Sequence, residues 1–239
     1  MSGLLAGRSA LVTGASRGIG AATARALAAA GARVVLVARS AADLATLAAE
    51  LPHGATALPA DLSQPAAAPT VAAAAREILG VEPDILVHAA GTFPLAALAE
   101  TGDEELELAF ALNTAAPLRL TRAFLQAMTA RGSGHIVTIG SVADRHVLPG
   151  NALYAATKHA LRALHEALRA ETRGSGVRAT LISPSATDTP LWDPYDPDAA
   201  ADLPSRHEML KAGDVADAVV WAVTRPAHVD VDELRLSRS

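Results

Sequence analysis

Tyr154 and Lys158 stand four residues apart in the stretch NALYAATKHAL, residues 151–161. Basic charge in this chain is otherwise carried by arginine, eighteen against two lysines, and there are only two tyrosines. Residues four apart share one face of a helix, so both side chains can enter one site. A free phenol has a pKa of ~10 and transfers protons poorly at neutral pH. A nearby ammonium favours the phenolate and lowers that pKa, and a shift of about three units corresponds to ~4 kcal/mol. The expectation is therefore a tyrosine tuned downward by its lysine. A compact ammonium also reaches ribose hydroxyls where a planar guanidinium fits poorly. Surface helix pairs share this spacing, so the pair alone decides nothing.

A second stretch, ALVTGASRGIGAATARAL, has Gly14, Gly18 and Gly20 directly after an apolar run and before a helical pattern. Glycines there allow a tight turn and let the backbone approach a pyrophosphate at the positive end of a helix. No Gly-Lys-Ser/Thr follows, so this is not a Walker A loop. An NAD site usually has a carboxylate at the end of the second strand, for the ribose 2′-hydroxyl. This chain has Ala38 and Arg39 there. Arg39 and Arg17 together could bind a 2′-phosphate, which points to NADP(H).

The elements that must position these residues alternate. Apolar runs at 9–13, 33–38, 56–60, 84–89, 135–140, 177–182 and 233–237 read as strands covered on both faces. Helical patterns lie at about 18–30, 41–50, 65–79, 103–130, 151–173 and 213–224. Gly31 and Gly174 suit helix C-caps and Asp103 and Asp214 suit helix N-termini. The fold class implied is α/β: a single-domain, Rossmann-type, doubly wound parallel sheet of about seven strands flanked by helices. The alanine-rich run 66–75 reads as plain helix. Residues 189–206 break the rhythm with four prolines, Trp192 and Tyr195. Proline at that density prevents a long helix, and a linker rarely carries such aromatics, so a mobile lid over a pocket is expected.

Taken together and in order, these motifs resemble the short-chain dehydrogenase/reductase family across nearly the whole chain. TGASRGIG fits the family's TGxxxGxG, with Gly14, Ser16, Arg17, Gly18, Ile19 and Gly20 as cofactor contacts. Asp61 and Leu62 fit its adenine-contacting position after the third strand, and HAAG at 88–91 fits its NNAG segment, with Ala90 and Gly91 matching. Asn113, Ser141, Tyr154 and Lys158 fit its catalytic set, and SPSATDTP at 183–190 fits its PGxxxT segment, with Pro184, Thr187 and Thr189 at the nicotinamide. His88 and Ala89 replace two asparagines of that pattern, and Ser185 replaces a glycine. The resemblance implies hydride transfer between NADP(H) and a carbonyl or secondary alcohol. Tyr154 would be the acid/base, Ser141 would bind the substrate oxygen, Lys158 would tune Tyr154 and bind ribose, and Asn113 would hold a relay water. It also implies a homodimer or homotetramer. A rival reading is a regulatory protein that binds NADP(H) on the same fold without turnover.

Composition is consistent with an enzyme of small molecules. The formal net charge is -5 and no basic run stands out, which argues against nucleic acid or an anionic membrane as partner. No apolar stretch is long enough to span a bilayer, the N-terminus does not read as a signal peptide, and the expected location is the cytoplasm. With no cysteine there is no thiol nucleophile. The eight histidines show no compact ligand spacing, so no metal is expected.

Overall fold

The computed structural model describes residues 3–200 and 202–239. Seven strands build the main sheet: β1 (Ser9–Thr13), β2 (Arg33–Ala38), β3 (Thr56–Pro59), β4 (Ile85–His88), β5 (Gly134–Ile139), β6 (Val177–Pro184) and, last in the chain, β9 (Glu233–Leu236). A separate ribbon pairs β7 (Thr187–Asp188) with β8 (Leu210–Lys211). The sheet runs β3-β2-β1-β4-β5-β6-β9 and every pairing is parallel. Strands β1, β4 and β5 are buried along their whole length, which is why they read as unbroken apolar runs.

Seven helices cover the two faces: α1 (Gly18–Ala29), α2 (Ala41–Glu50), α3 (Ala67–Leu79), α4 (Asp103–Phe110), α5 (Ala116–Arg131), α6 (Ala152–Thr172) and α7 (Ala212–Val223). Side chains alternate across each strand, so β1 sends Ala10 and Val12 one way and Leu11 the other. The first face packs on Leu27 of α1, Leu44 of α2 and Val219 of α7. The second packs on Val71 of α3, Phe124 of α5 and Leu168 of α6. Few aromatics are needed, because Ala24 and Ala28 leave no bulk on α1 where it meets α7. The strand order reverses between β1 and β4, and their carboxyl ends open a crevice there.

The long helix expected at 103–130 is interrupted. A π-helical turn, Ala111–Ala115, separates α4 from α5, and the Ala116 N–H donates to the Ala111 carbonyl. Pro117 follows and has no N–H to offer the carbonyl four residues back, at Asn113. A π-bulge of this kind inserts one residue and re-aims its neighbours. Gly31 and Gly174 take the left-handed conformation just beyond α1 and α6, and Asp214 accepts the Lys211 N–H at 2.7 Å. The β7–β8 ribbon was not anticipated; two-residue strands leave no periodicity to read. Among the described residues no helix is long and apolar enough to cross a membrane.

Three histidines are buried in this frame. His88 and His135 bond to Thr121 and Thr180 at 2.9 and 2.8 Å through Nε2. Burial pushes both imidazoles down to about 3, with His165 and Arg178 respectively adding to the effect. Burial also lowers His165. The fold therefore holds neutral forms while the unfolded chain protonates near 6.5, so stability is complete above that pH and lost as pH falls toward 3. The loss by pH 5 is roughly 2 kcal/mol for His88 and again for His135. Urea midpoints should accordingly fall between pH 7.5 and 5, and His135→Gln should flatten the dependence. An unchanged midpoint over that range would show that these rings are protonated in the fold.

Candidate functional site

A cleft of about 1070 Å³ occupies the crevice at the carboxyl ends of β1, β4, β5 and β6. At its first end lies the turn between β1 and α1. Gly14, Ser16, Arg17, Gly18, Ile19 and Gly20 all line it. A Cβ on Gly20 would sit 2.2 Å from the Gly14 carbonyl oxygen, so only glycine lets the turn close this tightly. The first turn of α1 has no acidic side chain, and Arg17, its N-cap, makes no side-chain cap. The N-terminal amides are thus left to face the cleft, as an anion site requires.

At the end of β2 the cleft is lined by Ala38, Arg39, Ser40 and Asp43. Arg17 and Arg39 are exposed and neither forms an ion pair among the described residues. Leu62 lines the cleft, but Asp61 does not. The Asp61 carboxylate accepts from Ser63 N and Oγ at 3.0 and 2.8 Å and caps its own turn. Ala90 and Gly91 line the floor. Their segment is held by Thr13, whose Oγ1 accepts the N–H groups of Ala89 and Ala90 at 3.0 and 3.1 Å. That tether uses no side chain from residue 88 or 89, so the loop keeps its place although both asparagines of the resembling motif are missing.

Ser141, Tyr154 and Lys158 come together at the other end. Ser141 follows β5, and Tyr154 and Lys158 project from the first turns of α6. The Lys158 ammonium donates to the Ile139 carbonyl at 3.0 Å and lies 5.5 Å from the Tyr154 ring centroid. Burial lowers this amine to about 8, and Asp144 opposes the shift. The Tyr154 phenol goes the other way from the sequence expectation. Burial pushes it up to about 12; a hydrogen bond with Ser141 pulls it down and Asp144 adds to the rise. Desolvation of the phenolate outweighs the ammonium, whose hydrogen bond goes to the Ile139 carbonyl. Asp144 itself is buried, with Oδ2 accepting the Ser183 hydroxyl at 2.7 Å.

Asn113 does not line the cleft. Its Oδ1 accepts the Thr92 N–H at 2.8 Å, and its amide donates to the Thr92 carbonyl and Thr157 Oγ1, both at 3.0 Å. Its side chain thus ties the loop after β4 to α6. An added Cβ on Gly91 would lie 2.8 Å from Asn113 Oδ1, so that clasp depends on glycine.

Pro184, Thr187 and Thr189 line the roof beyond β6. The proline-rich segment continues as a short 3-10 turn, Pro190–Tyr195. Trp192 is buried in the cleft wall, with Nε1 donating to the Thr187 carbonyl at 3.1 Å. Tyr195 stays outside that wall: its hydroxyl donates to the Phe93 carbonyl at 2.7 Å and accepts the Leu95 N–H at 3.0 Å. Phe93, which belongs to none of the motifs above, sits edge-on to Tyr154 and Trp192, with centroids 4.7 and 4.8 Å away. Ala201, within the expected lid, lies outside the described residues.

A glycine turn at a strand-order reversal, with Tyr154, Lys158 and a serine at one wall, fits the comparison with known proteins. A family model described as short chain dehydrogenase matches residues 8–200. The chain belongs to that family. An uncharacterised oxidoreductase of Staphylococcus haemolyticus is 34% identical over 231 residues, 96% of each chain. A glycine betaine reductase of Emericella nidulans is 38% identical over 239 residues, but this chain spans only 19% of that protein's length. Among solved structures, a metagenomic short-chain oxidoreductase in complex with NADP is 32% identical with a TM-score of 0.85, covering 99% of both chains. The protein is thus a short-chain oxidoreductase, of a family that uses a nicotinamide cofactor. The glycine turn, the bare α1 terminus and the lysine beside Tyr154 are the residues that fit such a group.

Proposed function

We propose that this short-chain dehydrogenase interconverts a carbonyl compound and its secondary alcohol with NADP(H) as preferred partner. The observation that carries the reading is the half-buried Tyr154, set beside the buried Ser141 and Lys158 on one wall of the cleft. When bound, NADPH supplies a hydride to the carbonyl carbon. Tyr154 gives its proton to the carbonyl oxygen, and takes it back in the oxidative direction. The phenol carries the proton that reduction requires, and the Ser141 hydrogen bond opposes the burial that makes it a weaker acid. Ser141 donates to the substrate oxygen and steadies the developing alkoxide. Lys158 holds the cofactor ribose. Asn113 positions Thr92 and α6, and would hold a relay water.

Arg17 and Arg39 would bind the 2′-phosphate, and the contacts of the glycine turn, Leu62, Ala90, Gly91, Pro184, Thr187 and Thr189 would hold the rest of the dinucleotide. Asp61 would act only through its turn. The related structure that carries NADP supports the choice of cofactor. Residues 1–239 would act as one cofactor-binding unit, with 189–206 as a substrate lid that excludes water during transfer. The same reading keeps the expectation of a cytoplasmic homodimer or homotetramer, and Leu106, Phe110 and Leu118, exposed on α4 and α5, suit a second copy.

Tyr154→Phe keeps the ring and removes the proton. NADPH-dependent reduction across a carbonyl panel should fall about 10²–10⁴-fold, with NADPH affinity nearly unchanged by fluorescence titration. Full turnover in this variant would remove Tyr154 as the acid.

Replacing Arg17 and Arg39 together by alanine should weaken NADPH binding roughly tenfold to a hundredfold and leave NADH binding alone. Equal loss for both cofactors would place the arginines elsewhere than on the 2′-phosphate.

A further inference from the structure

The reacting end of the cleft is apolar to an extent that bears on its substrate. The lining that Tyr154 and Ser141 share includes Phe93, Leu95, Val142, Leu148, Leu191 and Trp192, with Thr92 and Asn151 among its uncharged polar members. The indole N–H of Trp192 is engaged by the Thr187 carbonyl, so it has no donor left for a ligand. The cations that the chain brings near are engaged as well. Arg206 bonds to Asp188 at 2.9 Å and to Asp193 at 2.7 Å, Lys211 bonds to Asp188 at 3.1 Å, and Arg145 forks onto Glu233. None of these three lines the cleft. Lys158 does, but it donates to Ile139, and burial already works against its charge. Arg17, Arg39 and Asp43 belong to the other end, beside α1 and β2. The remaining charge on the lining is Asp202, an exposed carboxylate on the proline-rich segment.

Resting on the reductase reading above, we infer that the substrate is a carbonyl compound whose neighbouring groups are uncharged and apolar, and that the pocket rejects one carrying a carboxylate or phosphate within an aromatic ring's length of the carbonyl. An anion entering this end gives up its water, and the cation on this part of the lining, Lys158, is already bonded to the Ile139 carbonyl and, on the reading above, to the cofactor ribose. Asp202 adds repulsion rather than relief. A neutral alkyl or aryl group meets the apolar side chains of this wall, and its burial is favourable.

The test compares acetophenone with 4-acetylbenzoate, which keeps the ring and the ketone and adds one carboxylate. Two readouts are taken: kcat/KM with NADPH, and binding to the NADP-loaded protein by quenching of Trp192 fluorescence, with Trp221→Phe to remove the other tryptophan. Acetophenone should lead by at least about tenfold in both. Leu148→Arg, at an exposed position on the cleft rim, should improve the carboxylate severalfold relative to the neutral ketone. Binding of the carboxylate as tightly as acetophenone, or of neither compound, overturns the inference. The expected binding order without turnover of either ketone leaves the inference standing and sinks the reductase reading instead.

Discussion

The hydrogen bond from Lys158 to the carbonyl of Ile139, 3.0 Å long and buried, fixes where everything else in the site must be. An ammonium out of water needs an acceptor, and the end of β5 provides one. That bond docks the start of α6 against the sheet and so brings Tyr154, one turn earlier, beside Ser141. The same burial works on both partners: it pushes the phenol up to about 12 and brings the ammonium down to about 8.

The rest of the fold can be read as support for that bond and for the turn opposite it. The parallel sheet reverses its order between β1 and β4, which opens the crevice, and the glycine turn places the α1 amides on its far side. Asn113 ties the loop after β4 to α6 through Thr92 and Thr157. Tyr195 ties the same loop to the proline-rich segment. Phe93 is held between these two clasps and meets Tyr154 edge-on. A change at Phe93 would thus reach both Tyr154 and the proline-rich segment.

Much of this was legible in the sequence, for physical reasons. Buried parallel strands must be apolar on both faces, so five of the seven showed as Val/Ile/Leu runs or close to them; β3 and β9, at the two sheet edges, are only half-buried and gave the faintest patterns. The glycine turn showed because close backbone approach admits no other residue. The π-helical turn did not show, since its cause lies in Pro117 and in partners of Asn113 that are 21 and 44 residues away. Asp61 looked like a cofactor contact by position, yet its nearest donors are those of its own turn. The direction of the Tyr154 shift was misread because spacing reports the neighbouring charge and says nothing of burial, and burial is the larger effect here. Phe93 carried no signal at all: an aromatic in a loop acquires meaning only from what folds over it.

The central claim is that burial holds Tyr154 as a phenol in the free protein. It can be tested by following the carbon-13 signal of the tyrosine ring carbon bonded to oxygen, in Tyr195→Phe so that a single tyrosine remains, as pH is raised. The account predicts a phenol signal unchanged through about pH 10, the ordinary midpoint for tyrosine. A phenolate signal already present near neutral pH would contradict it, and would return the tuning of this residue to Lys158.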